Sequence, residues 1–142
     1  MLLAERSSEV RSHWAKFVDD VIHNEPKFVQ RNERDVFMSL NLEFVEILVG
    51  GIKYNVILEQ EDDEFFGTIE GFWFVENGNN EEEVMVKLAE SLKDFAIDYY
   101  KDIRVYRNTP DFKEMFPMIT KALVAENIEG IIDSFNVQFK KS

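Results

Sequence analysis

Tyr54, Val56 and Leu58 alternate with less apolar neighbours, whereas Val84, Leu88, Leu92, Phe95, Ala96 and Tyr99 recur at helical spacings. The first pattern belongs to a strand half buried in a sheet, and the second to one face of a long helix. A chain that passes from one period to the other must lay a helix on a sheet, so the fold class is α+β. Between the two patterns, Glu61-Asp62-Asp63-Glu64 reads as an acidic turn and Phe65 to Glu70 as a returning strand. Phe72 to Glu76 is a third strand candidate, with Trp73 and Val75 opposing Phe72 and Phe74. Asn77-Gly78-Asn79-Asn80 is a turn signal. The helix then runs from Glu81 to about Tyr100, with Glu81, Glu82 and Glu83 where the positive end of the dipole favours acid.

A second apolar stripe lies earlier. Val10, Trp14, Phe17, Val18, Val21 and Ile22 predict one helix from about Ser8 to Asn24, with Ser7 or Ser8 as its cap and Glu25-Pro26 as its stop. Burying those six side chains would contribute about 1.5–3 kcal/mol each before entropy. Lys27 to Arg31 and Val36 to Leu40 read as short strands around the turn Asn32 to Asp35. Asn41 can cap a helix over Leu42 to Val49, which Gly50-Gly51 ends. That glycine pair is the best hinge in the chain, and it divides residues 1–51 from 52–142. At the far end, Thr109 is read as a cap and Pro110 as the first helical position. Pro117 would start or kink a helix over Met118 to Ala125, and Ile128, Ile131, Ile132 and Phe135 would form a last amphipathic turn or two. There is no internal repeat.

Little chemistry is on offer. The chain has no cysteine, which excludes a disulfide framework, a thiolate metal site and a cysteine nucleophile, and fits a reducing cytoplasm. No apolar run approaches the roughly 18 residues a spanning helix needs, so a soluble protein with no membrane partner is expected. His13 and His23 would lie roughly 15 Å apart along one helix, too far to share a substrate or a metal. The carboxylates of Glu59 and Glu61 to Glu64 lack the EF-hand spacing, and no glycine bends Glu59–Phe66, so a solvated turn is the better reading. The glycines form no phosphate loop. No catalytic residue, metal or cofactor is therefore assigned, and the chain reads as a binding protein.

Charge is uneven. The net charge is −12; residues 1–53 carry seven Lys/Arg against nine Asp/Glu, and residues 54–142 carry nine against nineteen. The second part repels nucleic acid and attracts basic partners, while the first can still carry a local basic face.

The stretch from Ser7 to Leu48, SSEVRSHWAKFVDDVIHNEPKFVQRNERDVFMSLNLEFVEIL, resembles the N-terminal region of Phd/YefM antitoxins. Family features fall on Arg11 early in the helix, Pro26, the strand Phe28-Val29-Gln30-Arg31, the turn Asn32 to Asp35, Val36 to Leu40 and Leu42 to Leu48. Asn32-Glu33 stands where the family usually has a glycine, and the leading strand is cut to Leu2-Leu3. Tyr54 to Ala96 is more faintly similar to HicB-like or RelB-like antitoxin domains, on the order of strands, the Asp62-Asp63 turn, Gly78 and Glu81 to Glu83. It lacks their usual Pro-Gly-Cys segment.

The resemblance implies a small helix–hairpin–helix unit over 1–51 for dimerisation and DNA binding. An acidic α+β unit over 52–142, an antiparallel sheet with helices packed on it, would bind a toxin. Arg11 is the first DNA-contact candidate and Arg31 the second; position adds Arg6, Ser8 and Arg34. Arginine suits both phosphate and guanine contacts. The plain alternative is that these arginines pair with Glu5, Glu9, Glu33 and Asp35. The implied partners are operator DNA, a second copy of the chain, and a basic, mRNA-cleaving ribonuclease toxin, for which Tyr99, Tyr100, Phe112, Met115 and Phe116 are the candidate contacts. The alternative for those five is burial in the chain's own core. Rival functions are a metal-dependent enzyme or small-ligand-binding domain on the 54–96 sheet, using Glu59 and Asp63, or a protein-binding adaptor without DNA binding.

Overall fold

The computed structural model describes residue 1 and residues 3–140. They form an α+β chain of two compact units, Met1–Leu48 and Val49–Ser142.

Unit 1 holds a three-stranded sheet of order β1-β2-β3, formed by Glu5–Arg6, Lys27–Gln30 and Val36–Ser39. β1 runs parallel to β2, with Arg6 opposite Gln30, and β2 and β3 form a hairpin with Gln30 opposite Val36. The hairpin turn is held by Asn32, whose Oδ1 accepts from the backbone N–H of Arg34 at 2.8 Å and of Asp35 at 2.9 Å. An Asx turn of this kind does the work expected of the missing glycine. Asn41 caps α3 (Leu42–Val49) as anticipated, accepting from the Phe44 N–H at 3.0 Å.

The single long helix expected from Ser8 to Asn24 is two helices, α1 (Ser7–Ser12) and α2 (Trp14–His23). The break falls at His13, with φ −129° and ψ 43°. There the Ser12 hydroxyl donates to the Glu9 carbonyl at 2.9 Å, and the His13 N–H points to the carbonyls of Glu9 and Val10. Such local bonds compete with the regular helical ladder. Neither Ser7 nor Ser8 caps α1; Arg6 occupies that position, without a side-chain bond. Of the expected stripe only Val10 and Phe17 are buried, with Val29 of β2, while Trp14 and Ile22 are 60% and 50% exposed. Of the expected leading strand at Leu2-Leu3, Leu2 lies outside the described residues and Leu3 lies in a turn; β1 is Glu5–Arg6.

Unit 2 has a four-stranded sheet of order β6-β5-β4-β7. β4 (Tyr54–Glu61) and β5 (Glu64–Ile69) form the hairpin read from the sequence, turning through Asp62 at φ +56°. Tyr54, Val56 and Leu58 lie under α4 (Glu81–Lys101), whose Val84, Leu88, Leu92 and Ala96 are fully buried. Gly67 of β5 permits that approach, since a Cβ there would sit 2.6 Å from Val84 Cγ1. Asn80 caps α4, accepting from the Glu83 N–H at 2.8 Å, while Glu83 accepts from the Asn79 N–H at 3.2 Å.

Other expectations shift. The third strand is β6 (Val75–Gly78) rather than Phe72–Glu76, because Gly71 at φ +88° turns the chain after β5. Phe72 then packs on Phe74 and Phe95 with centroids 5.7 and 5.8 Å away, and Gly78, read as a turn, pairs with Phe65. A short helix α5 (Ile103–Tyr106) follows α4. Thr109 does not cap the next helix but donates to the Tyr106 carbonyl, and Pro110 precedes the helix rather than opening it. That helix, α6 (Phe112–Val124), runs continuously through Pro117. Lys93 Nζ donates to the carbonyls of Ala122, Leu123 and Ala125 at 2.9, 2.7 and 3.2 Å, putting a cation at the negative end of α6. After α7 (Ile128–Ile132) comes β7 (Phe135–Lys140), so Phe135, expected in the last amphipathic turn, opens a strand instead. It joins β4 in parallel, so the sheet is antiparallel except at that edge. No helix among the described residues is long and apolar enough to cross a membrane.

Candidate functional site

In unit 1 all five sequence-derived positions, Arg6, Ser8, Arg11, Arg31 and Arg34, are exposed. The sheet brings three of them together. Arg6 lies opposite Gln30, the neighbour of Arg31, and Arg34 occupies the hairpin turn that follows. Adjacent strands are about 4.8 Å apart, so these guanidinium stems leave one end of the sheet. α1 begins directly after Arg6, which sets Ser8 in its first turn at the same end.

Arg11 is placed differently from expectation. The break at His13 puts it in the last turn of α1, not near the N-terminus of a long helix. It borders a shallow groove with Ser7, Val10, Trp14, Val29 and Phe37.

The alternative, that these arginines pair with neighbouring acids, is not what forms. Among the described residues no arginine makes a side-chain ion pair. Glu5 and Glu25 lie 3.8 and 3.1 Å from Lys27, and Asp20 lies 2.6 Å from Lys16. Asp35 accepts from Asn32. Asp20 is held below the usual carboxylate range, chiefly by the hydrogen bond from Lys16.

In unit 2 the five candidate contacts separate. Tyr100 and Phe116 are exposed, Phe112 and Met115 are half-buried against the core, and Tyr99 is only 3% exposed. Phe112 and Phe116 stack at 5.2 Å, one helical turn apart on α6. Tyr99 stacks on Tyr106 at 4.0 Å, and its hydroxyl is buried with no hydrogen-bond partner. Burial pushes that phenol up, with the Asp111 carboxylate and Tyr106 adding to the effect and the nearby Thr109 hydroxyl opposing it.

Tyr99 and Met115 also line a cleft of about 500 Å³ with Gly71, Phe72, Trp73, Phe95, Tyr106, Thr109 and Asp111. The sequence reading missed this cleft. Its one local signal was Gly71-Phe72-Trp73, a glycine followed at once by two large aromatics.

Glu59, proposed for a metal in the rival reading, lies 3.7 Å from Lys140. No group of three or more His, Asp or Glu side chains able to hold a metal occurs among the described residues.

This chain carries exposed arginines at one end of the unit 1 sheet and exposed aromatic side chains on its acidic second unit. Comparison with known proteins gives its family. The profile of the PHD-like family, described as antitoxin of toxin-antitoxin, RelE / RelB, TA system, matches residues 1–137. A crystal structure from Syntrophomonas wolfei subsp. wolfei superposes with a TM-score of 0.91 at 32% identity, covering 96% of this chain and 99% of that one. That protein is described as the antitoxin part of a candidate toxin/antitoxin system. No curated protein matches significantly. The chain belongs to the Phd/RelB-type antitoxins of toxin–antitoxin systems, and the match runs through both units.

Proposed function

We propose that this antitoxin acts in two parts within the cytoplasm. Residues 1–51 bind operator DNA as a homodimer in the Phd/YefM manner. Residues 52–142 neutralise a basic, mRNA-cleaving ribonuclease toxin by covering its RNA-binding face. The observation that carries the DNA part is the set Arg6, Arg11, Arg31 and Arg34, all exposed and, among the described residues, none ion-paired, while Glu5, Asp20 and Glu25 pair with lysines instead. A free guanidinium can meet a phosphate or the edge of a guanine without first breaking an internal contact. Ser8 beside them adds a hydroxyl donor.

Dimerisation is supported by what unit 1 leaves uncovered. Phe37, Leu42, Ile47 and Leu48 are 55–71% exposed, beside a core of three buried side chains. Large apolar side chains left exposed around so small a core are the kind of surface a second copy can cover. For the toxin, exposed Tyr100 and Phe116, backed by half-buried Phe112 and Met115, supply aromatic surface on an acidic unit. Tyr99 is itself buried and stacks on Tyr106.

Light scattering and a binding titration on the DNA upstream of the gene test the reading together. A dimer at micromolar concentration, with affinity that falls as salt rises, is expected. A strict monomer that binds the upstream DNA no better than unrelated DNA would sink it.

A further inference from the structure

The cleft of unit 2 contains groups that folding alone does not use. It forms where the Gly71 turn carries Phe72 and Trp73 beside Phe95 and Tyr99 of α4, under the loop that bears Thr109 and Asp111. Trp73 is 78% exposed and rests edge-on against Phe74 at 6.0 Å. A tryptophan that contributes so little to its own core is a free wall.

The polar atoms at this site are mostly acceptors. Asp111 takes part in no ion pair among the described residues, and its side chain does not cap α6, although it precedes the first turn. The Thr109 hydroxyl gives its proton to the Tyr106 carbonyl at 2.5 Å, which leaves its lone pairs available. The Tyr99 oxygen is buried and makes no hydrogen bond of normal geometry, although the Thr109 side chain lies close enough to act on it. No lysine or arginine lines the cleft. Aromatic faces add negative quadrupole to this arrangement.

A cation with several donors is the group that suits this lining. A metal ion does not fit, since the lining offers one carboxylate. A lysine ammonium is a compact, strongly hydrated charge that gains little from flat walls. A guanidinium is planar, stacks on rings, and can fork its donors among separate acceptors. The source is suggested by charge: nineteen Asp/Glu against nine Lys/Arg over residues 54–142 steer a basic protein toward this unit.

We propose that this cleft receives an arginine side chain of the basic protein that unit 2 covers, stacked against the aromatic walls and donating to Asp111 and the Tyr99 oxygen. The identity of the partner rests on the toxin-binding reading above; the chemistry of the guest rests on the cleft alone.

The test is an NMR titration of the full chain with three short peptides identical but for one residue: arginine, lysine or the neutral isostere citrulline. The arginine peptide should shift the Trp73 indole N–H and the Gly71 and Thr109 amides, with the lysine and citrulline peptides weaker. Asp111→Asn should lower its affinity about tenfold, the effect of losing a charge-assisted bond. Tyr99→Phe should weaken binding while the melting temperature holds or rises, because it deletes an unsatisfied buried hydroxyl; a purely structural role would not produce that split. Equal shifts from citrulline, or shifts away from the cleft, would overturn the proposal.

Growth rescue from the toxin encoded beside this gene decides the partner. Asp111→Lys should lose rescue while melting as the wild type does. Undiminished rescue by that variant overturns this contact and leaves the antitoxin reading intact. No rescue by the wild-type chain removes the partner, and with it the toxin-binding reading.

Discussion

Unit 1 and unit 2 solve the problem of burial differently. Among the described residues, unit 1 gathers three buried side chains into its core, whereas unit 2 gathers fourteen around β4, β5, α4, α6 and α7. Unit 1 leaves large side chains such as Leu42, Ile47 and Leu48 at the surface, while the central strand of unit 2 has its inward residues fully buried. Small domains bury too small a fraction of their surface to be comfortable alone. The difference teaches that unit 2 is stabilised from within, whereas unit 1 leaves apolar side chains uncovered, as the proposed homodimer requires.

The largest effect should come from unit 2's core. Leu88→Ala should cost about 2–5 kcal/mol, by lost burial and the cavity left against Leu58 and Gly67, and denaturant unfolding measures it. A cost below 1 kcal/mol would mean that the core is looser than its burial implies.

Lys93→Met is next. It keeps the apolar stem but removes the cation from three carbonyls at the end of α6, and should lower stability by about 1–2 kcal/mol. The same measurement checks it. An unchanged midpoint would show that water serves those carbonyls equally well.

Leu48→Ser reverses the balance. This side chain is 71% exposed, so its removal should change the stability of the chain by no more than about 0.5 kcal/mol. Light scattering should nonetheless show a shift toward monomer. An unaffected dimer would place the interface elsewhere.

The smallest effect on folding belongs to Arg11→Ala, within about ±0.5 kcal/mol because the residue is exposed. Operator affinity should still fall, and the slope of log affinity against log salt should shrink by about one if the contact is to phosphate. Toxin neutralisation should persist. Wild-type affinity and slope in the variant would remove Arg11 from the DNA surface.

The α+β class, the β4–β5 hairpin, α4 with its acidic first turn, and α3 with its Asn41 cap were all legible in the sequence. Each is a local pattern, in which a period of two or of 3.6, a capping side chain or a turn residue acts within a few positions. Where local signals compete, periodicity alone does not decide the backbone. The stripe from Val10 to Ile22 looked continuous, yet Ser12 and His13 divert the backbone and leave Trp14 outside.

Tertiary structure alone decided β7 and the cleft. Phe135, Val137 and Phe139 have the alternation of a strand, but Ile128 to Phe135 also fit a helical spacing, and the choice depends on pairing with Tyr54 to Leu58 far away in the sequence. The same holds for Tyr99, Trp73 and Asp111. They come from a helix, a turn and a loop, and meet because the packing of α4 on the sheet brings those segments to one place. Periodicity reports which side of an element is apolar; which elements share that side is settled by non-local burial and pairing, and those leave no mark within a window of a few residues.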